Sequence, residues 1–292
     1  FMLQQTQVKT VIPYFNNFIR KHKTLKALSK SSESEILKMW EGLGYYRRAR
    51  NLLLCAKILV NKYNSKLPKT LEEIKKLPGV GDYTGNALLG LVYNKPTIAL
   101  DGNVKRVFSR IFNKDEKKID FKKFIEINQK KLFNTKRNAD FVEALMEFGA
   151  LICKPKDPNC FTCCLNKTCK YFKSNDKISS VRKKMVKNKN YDIFCYINKK
   201  QQIALTKNSQ VGFLKNFNLP TIKESDNSKN SRNWKFLKNY KNSISNLKLN
   251  INLYYRFSSK IPPSFRWHSL DNDKEFIPSF TKKIFKQVSS LF

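Results

Sequence analysis

The sequence predicts a mainly α-helical first part followed by a smaller α+β part. In roughly the first 172 residues, apolar side chains recur at helical spacing. At about residue 174 the composition becomes basic and polar, as in a linker. Beyond it the apolar period becomes two, at Leu247, Leu249, Ile251, Leu253 and Tyr255. We therefore expect a first domain over residues 1–173, a basic linker over 174–189 and a second domain over 190–292.

In the first part, helices are predicted from periodicity and from end signals. The opening FMLQQTQVKTVIPYF has the character of helix interior, so we expect the chain to lack residues that precede it. Thr70 and Glu73 form a capping box that opens LEEIKKL. No strand pattern of useful length interrupts the other helical segments, which are ESEILKMWEGLG, YYRRARNLLLCAKILVNKY, DYTGNALLGLVY, VKRVFSRIF, FKKFIEINQKKLF and NADFVEALMEFGALIC.

In the second part, YDIFCYI, QQIALT and LKLNINLYY are predicted strands, and SFTKKIFKQVSSLF is a predicted closing helix. No internal repeat of 20–50 residues is visible. The second part is therefore expected to be a small α+β domain.

Composition and charge restrict the class of protein. Hydrophobic residues at 41% and charged residues at 27% exclude collagen-like, mucin-like and wholly disordered chains. No stretch approaches 18 apolar residues and no secretory leader is present, so we expect a cytoplasmic protein without a membrane span. The net charge of +36 favours a nucleic-acid partner, although an even Lys- and Asn-rich background can equally reflect an AT-rich coding bias.

Four cysteines follow the pattern C-x6-C-x2-C-x5-C, and they are Cys153, Cys160, Cys163 and Cys169. Thiolates at such spacing hold either an iron–sulfur cluster or a tetrahedral zinc ion, and spacing alone does not choose between them. Disulfides are not expected in a chain without a secretory signal. Cys164 directly follows Cys163 and is the spare thiol.

Two further local signals concern helix starts. The turn Leu77-Pro78-Gly79-Val80-Gly81 would present the backbone N–H groups of the next helix to an anion such as a DNA phosphate, or it is an ordinary helix–helix turn. Asp101 precedes VKRVFSRIF. It is either a plain N-cap or a carboxylate held at a helix start and aimed at a cleft.

Six ordered motifs together resemble one family, the MutY-type adenine DNA glycosylases. They are FMLQQTQVKTVIPYF, WEGLGYYRRARNL, LPGVGDYTGNAL, ALDGNVKRV, MEFGALIC and the four-cysteine spacing. The resemblance implies a helix–hairpin–helix glycosylase domain with a [4Fe–4S] cluster loop, followed by a smaller Nudix-like domain. It also implies base excision repair, in which adenine opposite 8-oxoguanine or guanine in double-stranded DNA is flipped out and hydrolysed from its sugar. We expect a monomer.

The resemblance also implies residue roles. Asp101 matches the aspartate that stabilises the sugar cation or bonds it, and Asn103 and Tyr83 match residues that help to form that site. Glu143 matches an acidic residue of the adenine pocket, with Glu147 a weaker candidate. Cys153, Cys160, Cys163 and Cys169 match the cluster ligands.

Further positions match DNA contacts. Gln5 and Tyr45, with Leu3 and Thr6 beside Gln5, match side chains inserted into the base stack, and core packing is the less favoured alternative for Tyr45. The hairpin contributes Leu77, Gly79, Val80 and Gly81. Lys154 and Lys156 lie in the loop between the first two cysteines, and Ser245 matches the serine of the loop that reads 8-oxoguanine.

The sequence departs from the family's pattern at two places. The family's general-acid glutamate directly precedes the position of Phe1, so this chain by itself is expected to bind lesion DNA weakly and to excise almost no adenine. In the 8-oxoguanine loop, Ile244 and Asn246 replace the family's aromatic residue and histidine, which is expected to weaken discrimination.

Two other functions compete with this interpretation. An endonuclease III-like glycosylase with lyase activity needs a lysine nucleophile where Tyr83 stands, and tyrosine cannot form an imine. A non-catalytic DNA-binding module with a structural metal is the other. Since no Nudix hydrolysis motif is present, nucleotide hydrolysis is not expected of the second domain.

Overall fold

A computed structural model describes residues 1–133, 136–175, 187–225, 233–244, 247–269 and 276–291. Within these ranges ten helices precede seven strands, and one helix follows them. The helices are α1 (Val8–Lys21), α2 (Leu25–Ser29), α3 (Glu33–Met39), α4 (Arg47–Tyr63), α5 (Leu71–Lys75), α6 (Asp82–Tyr93), α7 (Gly102–Phe112), α8 (Phe121–Leu132), α9 (Asn138–Glu147), α10 (Lys170–Lys173) and α11 (Ser279–Val288). The strands are β1 (Lys187–Ile197), β2 (Ile203–Lys207), β3 (Asn218–Leu219), β4 (Thr221–Glu224), β5 (Lys235–Ile244), β6 (Leu247–Phe257) and β7 (Arg266–His268).

The described chain forms two compact units that do not simply follow each other in sequence. The first unit comprises Phe1, Ile19–Ser31 and the chain from Arg47 through the cysteine-rich segment. The second comprises Met2–Phe18, Ser32–Tyr46 and the sheet region from β1 onward. Two early segments thus cluster with the last third of the chain.

The first unit is helical, as its apolar periodicity predicts. One core cluster joins α4, α5 and α6 through Cys55, Leu59, Ile74 and Leu89. A second joins α7 and α8 through Val104, Phe108 and Phe121. The π-helical turn Phe148–Ile152 continues α9 toward the cysteines.

Two local predictions in the helical region have different outcomes. The Thr70–Glu73 cap is confirmed: the Thr70 hydroxyl oxygen accepts from Glu73 N and donates to Glu73 Oε2. The expectation that the opening residues are helix interior is wrong for residues 1–7, since α1 begins at Val8. The backbone of Gln5 is left-handed, with φ +58, and that conformation ends any right-handed helix.

The second unit contains a mixed sheet built around a parallel pair. β1 pairs in parallel with β6 over eleven residues, from Lys187↔Leu247 to Ile197↔Phe257. β5 is antiparallel to β6, while β2 and β4 are antiparallel to β1. β1 starts at Lys187, inside the range predicted for the linker; residues 176–186 of that range lie outside the described residues.

The alternation predicted for LKLNINLYY is confirmed. Leu249, Ile251 and Leu253 are buried, as are Ile193 and Cys195 of β1 in register beside them. The closing helix α11 packs Phe280, Ile284, Phe285 and Val288 onto this same side of the sheet. In the part of the chain that the structure describes, no helix is long and apolar enough to cross a membrane.

Candidate functional site

The turn between α5 and α6 is fixed by one glycine and two buried side chains. Gly79 has φ +76, a backbone conformation that residues with a side chain rarely adopt. A Cβ atom there would also lie 2.3 Å from Asn51 Nδ2, so there is no space for a side chain. Leu77 and Val80 are buried in the core of α4–α6. Of the four predicted DNA contacts in this turn, these two can therefore offer only backbone groups.

Asp101 is the N-cap of α7, and both of its carboxylate oxygens are held. Oδ1 accepts from Val104 N at 2.7 Å, and Oδ2 accepts from Asn103 Nδ2 at 3.1 Å. The side chain is half-buried. Asp101 is thus both the N-cap of α7 and a fixed, partly desolvated carboxylate. The two alternatives that the sequence offered, a plain N-cap and a carboxylate held at a helix start, do not exclude each other.

A buried arginine connects the start of α7 to the cysteine-rich segment. Arg106 is 8% exposed. It donates from Nη2 to Asn103 Oδ1 at 2.9 Å and to Gly149 O at 2.5 Å. Its Nε donates to Cys153 O at 2.9 Å. The chain Asp101–Asn103–Arg106–Cys153 is therefore continuous in hydrogen bonds.

Gly149 makes the close approach in this network possible. A Cβ atom on Gly149 would lie 2.8 Å from Asn103 Cβ and 3.1 Å from the Asn103 backbone. Any larger residue would displace Asn103, and with it the amide that holds Asp101. Glycine is required here by contact with α7.

Tyr83 of α6 lies near Asp101. Burial raises the pKa of Tyr83 above its ordinary value, and the Asp101 carboxylate acts in the same direction. The Tyr83 hydroxyl donates to Met146 Sδ at 3.5 Å, which joins α6 to α9. Glu143 stands one helical turn before Met146 and is exposed, as is Glu147.

The four predicted metal ligands line one cavity, whereas Cys164, the spare cysteine beside Cys163, does not. Around this cavity lie Cys153, Cys160, Cys163 and Cys169, together with apolar side chains such as Phe148 and Phe172. Cys164 is exposed. Burial raises the pKa of Cys163, and the thiols of Cys153, Cys164 and Cys169 act in the same direction.

Arg110, one turn after Arg106, ties the cysteine loop to α7. It donates to Cys153 Sγ at 3.4 Å, to Lys154 O at 2.6 Å and to Pro155 O at 3.0 Å. Lys154 is half-buried and Lys156 is exposed. Among the described residues, no group of three or more His, Cys, Asp or Glu side chains gathers around the position of a single ion.

The predicted stacking residues belong to the other unit. Leu3 is 57% exposed and Tyr45 is 46% exposed, so the core-packing alternative for Tyr45 is wrong. The adjacent Tyr46 is the core residue: it is 7% exposed and packs against Phe217 and Phe276. Thr6, half-buried, donates its backbone N–H to Leu3 O.

Gln5 and Tyr45 share an unusual backbone. Their φ angles are +58 and +49, a region that residues other than glycine rarely adopt. Such strain is typical of positions that present a side chain for function. The predicted contact Ser245 lies outside the described residues.

Sequence reasoning missed Arg106, Arg110 and Gly149. The signal was present: two arginines four apart stand among the apolar residues of VKRVFSRIF, on a helix whose Val104, Val107 and Phe108 are buried. A buried arginine needs acceptors, and here these are backbone carbonyls far away in sequence.

The chain is similar to known DNA repair proteins. Residues 1–132 match the HhH-GPD family, described as the HhH-GPD superfamily of base excision DNA repair proteins. A protein of Buchnera aphidicola subsp. Baizongia pistaciae named adenine DNA glycosylase is 36% identical over 296 residues, covering 93% of this chain and 82% of that protein.

Solved structures support the helical fold. A thermostable thymine-DNA glycosylase is 31% identical with a TM-score of 0.53. A trapped endonuclease III–DNA covalent intermediate is 26% identical with a TM-score of 0.50. Each match covers 59% of this chain and 80% of the other.

We expect Arg106→Lys to lower the free energy of unfolding of the helical unit by roughly 2–3 kcal/mol. A lysine ammonium cannot reach Asn103, Gly149 and Cys153 at once, so buried acceptors lose their partner. Thermal or urea unfolding followed by circular dichroism measures the loss. The control is Arg137→Lys, whose exposed pair with Asp140 should change stability by less than about 0.5 kcal/mol. Equal shifts in both variants would contradict the structural role of Arg106.

Proposed function

The chain belongs to the adenine DNA glycosylase family of the HhH-GPD superfamily, and we propose that it hydrolyses the N-glycosidic bond of adenine mispaired with 8-oxoguanine or guanine in double-stranded DNA. This is a base excision repair reaction. The observation that carries the proposal is the doubly held carboxylate of Asp101 at the start of α7.

Asp101 suits the stabilisation of a developing sugar cation. Departure of the base leaves positive charge on the sugar, and a fixed negative group nearby lowers the energy of that state. The bonds from Val104 N and Asn103 Nδ2 hold the carboxylate before the reaction, so little reorganisation is required. Arg106 is a positioning residue for Asn103 and does not itself act on substrate.

Adenine must leave the base stack before its glycosidic bond can be reached. We assign stacking and wedging to Gln5 and Tyr45, with Leu3 and Thr6 beside them. The exposure of Leu3 and Tyr45 and the left-handed backbone of Gln5 and Tyr45 support this assignment. Side chains of this kind offset the unstacking cost of an extruded base.

The turn before α6 is proposed to bind a DNA phosphate through backbone N–H groups. Gly79 and Gly81 leave the backbone free of side-chain bulk, and the side chains of Leu77 and Val80 anchor it in the core. The N-terminus of α6 favours an anion through the helix dipole and the backbone N–H groups of its first turn. Lys154 and Lys156 would add salt-dependent attraction.

The cysteine cavity is proposed to hold a [4Fe–4S] cluster. A cubane binds one thiolate at each of four irons, so its ligands surround a cavity and do not meet at one point. The lining of one cavity by Cys153, Cys160, Cys163 and Cys169, with Cys164 exposed outside it, supports this proposal. When bound, the cluster would supply metal–sulfur bonds that fix the loop, and Arg110 joins that loop to α7.

For the second unit we propose a Nudix-like domain that reads 8-oxoguanine through Ser245. The mixed sheet with a parallel β1–β6 pair and the packed helix α11 support this α+β assignment. In the chain, Ser245 directly follows Ile244, the last residue of β5, and β6 begins at Leu247.

We expect Asp101→Asn to reduce the single-turnover rate of adenine release from an A:8-oxoguanine duplex by about 10²–10³-fold. Asparagine still caps the helix, so the fold is kept while the negative charge is lost. The resemblance places the general-acid glutamate directly before Phe1, so the assay uses this chain extended at its amino end by that segment from a relative.

The matched control is Asp120→Asn. Asp120 also accepts a helix-start N–H, from Lys123 N at 3.1 Å, but it is not a proposed site residue. Its rate of adenine release should stay within about twofold of the unaltered protein, as for a surface change without a named mechanism. Unchanged release in Asp101→Asn would sink the proposed role of this carboxylate.

The competing lyase function is tested by trapping. A lyase forms an imine with the abasic sugar, and borohydride reduces that imine to a stable cross-link. Tyr83 stands at the position of the lyase lysine and cannot form one. We expect no cross-link between this protein and abasic DNA on a denaturing gel, with an endonuclease III as positive control. A cross-linked band would favour the lyase.

We expect Cys163→Ser to lower the iron and sulfide bound per chain severely, because it removes one of four ligands. Cys164→Ser is the matched control: it alters the adjacent, exposed thiol and should leave iron content unchanged. Metal and sulfide analysis with visible absorbance of the purified proteins measures both. Zinc without sulfide in the unaltered protein, or equal loss in both variants, would overturn the cluster assignment.

A further inference from the structure

The sheet of the second unit has a second face that the core does not use. Side chains at odd positions of β1 and β6 form the core with α11, so those at even positions lie on the opposite side. We call this the outer face. It comprises the even positions of β1 from Asn190 to Tyr196 and of β6 from Lys248 to Arg256. It also includes their register neighbours on the adjacent strands, Phe236, Asn239, Lys241 and Ser243 of β5 and Thr221 and Lys223 of β4. The ring of Trp234, just before β5, packs against Phe194 and Tyr196 and belongs to the same face.

Aromatic rings from several segments meet on the outer face. Phe194 and Tyr254 stack with 5.1 Å between ring centroids and 16° between planes. Trp234 lies 5.1 Å from Phe194 and 4.8 Å from Tyr196. Phe236 lies 5.6 Å from Tyr254 and is 54% exposed, and the other four rings are partly exposed. Solvent therefore reaches a row of rings on adjacent strands.

Cations and amides surround these rings. Lys223, Lys241, Lys248 and Arg256 are all exposed on this face. Asn190 and Asn250 are exposed and hydrogen-bonded to each other at 2.9 Å. Among the described residues at the outer-face positions defined above, Asp192 is the one acid.

The carboxylate of Asp192 is held by hydrogen bonds from neutral side chains, and four cations of the same face outnumber it. Its Oδ1 accepts from Asn252 Nδ2 at 2.7 Å and from Ser225 Oγ at 3.1 Å. The outer face therefore combines stacked rings, amide groups and an excess of positive charge. A polyanion with accessible planar faces complements all three.

We propose that the outer face binds single-stranded DNA, whose unpaired bases stack on the ring row of Phe194, Tyr254 and Trp234 while its phosphates meet the surrounding lysines and Arg256. Base stacking on sheet aromatics beside a positively charged surface is a general mode of single-strand binding. In a duplex the base faces are already stacked on each other, so the same row offers duplex DNA less. This binding is additional to the proposed adenine excision from duplex DNA.

The test compares two adjacent tyrosines of β6 on opposite faces. Tyr254→Leu removes a ring from the outer face, whereas Tyr255→Leu removes one from the core side and serves as matched control. Affinity for a fluorescent oligothymidylate is measured by anisotropy over a salt series. Neither change alters charge, so the slope of log Kd against log salt should stay constant in both.

We expect Tyr254→Leu to weaken oligothymidylate binding by about fivefold to a hundredfold, as for the loss of one base–aromatic stack. Phe194→Leu should do the same, and unaltered thermal unfolding midpoints would show that both variants are folded. The oligonucleotide should quench the tryptophan fluorescence of the unaltered protein but not that of the variant Trp234→Leu. Tyr255→Leu should bind as the unaltered protein does.

Equal oligothymidylate affinity in Tyr254→Leu, Phe194→Leu and the unaltered protein would overturn the proposal. Equal weakening for a blunt duplex would also overturn it, since the face would then be a duplex contact. Adenine release by the extended protein is measured in parallel and should not change in Tyr254→Leu. A failure of excision in every variant would count against the glycosylase function without bearing on the outer face.

Discussion

The buried guanidinium of Arg106 is the interaction on which the candidate site depends. It donates to Asn103 Oδ1 of its own helix α7 and to Gly149 O and Cys153 O, which lie in and directly after the π-helical turn Phe148–Ile152. A buried charge without such partners would be strongly unfavourable, so α7 and the turn that ends at Cys153 must pack against each other around it. The orientation of Asp101 and the path of the cysteine loop are consequently two results of one packing arrangement.

In the second unit, the parallel pairing of β1 with β6 produces two different faces of the sheet. Because β1 and β6 run parallel in register, their side chains alternate in step. The odd rows are apolar and are covered by α11, whereas the even rows carry rings, amides and cations. A shift of one residue in register would exchange these rows and place charged groups in the core. The same pairing that buries Ile193 and Leu253 therefore also assembles the outer face.

Much of the helical unit and part of its site were predictable from local sequence. Thr70 and Glu73 predict a helix start, and Gly79 predicts a turn. The alternation from Leu247 to Tyr255 predicts a half-buried strand. The spacing of the four cysteines predicted that they share one site, and they line one cavity. The expectation for residues 1–7 failed because a left-handed backbone at Gln5 leaves no mark in hydrophobic periodicity.

What the sequence determined by itself is the chemistry available: a capping carboxylate at residue 101, four thiols in the pattern C-x6-C-x2-C-x5-C, and apolar periods of 3.6 and then two residues. These are properties of neighbours along the chain. Only the tertiary structure decided that Arg106 reaches Gly149 and Cys153, that Tyr83 lies near Asp101, and that the rings of β1 and β6 stack. Each of these joins residues 18 or more positions apart. Their contact follows from the packing of whole helices and strands, which no local pattern encodes.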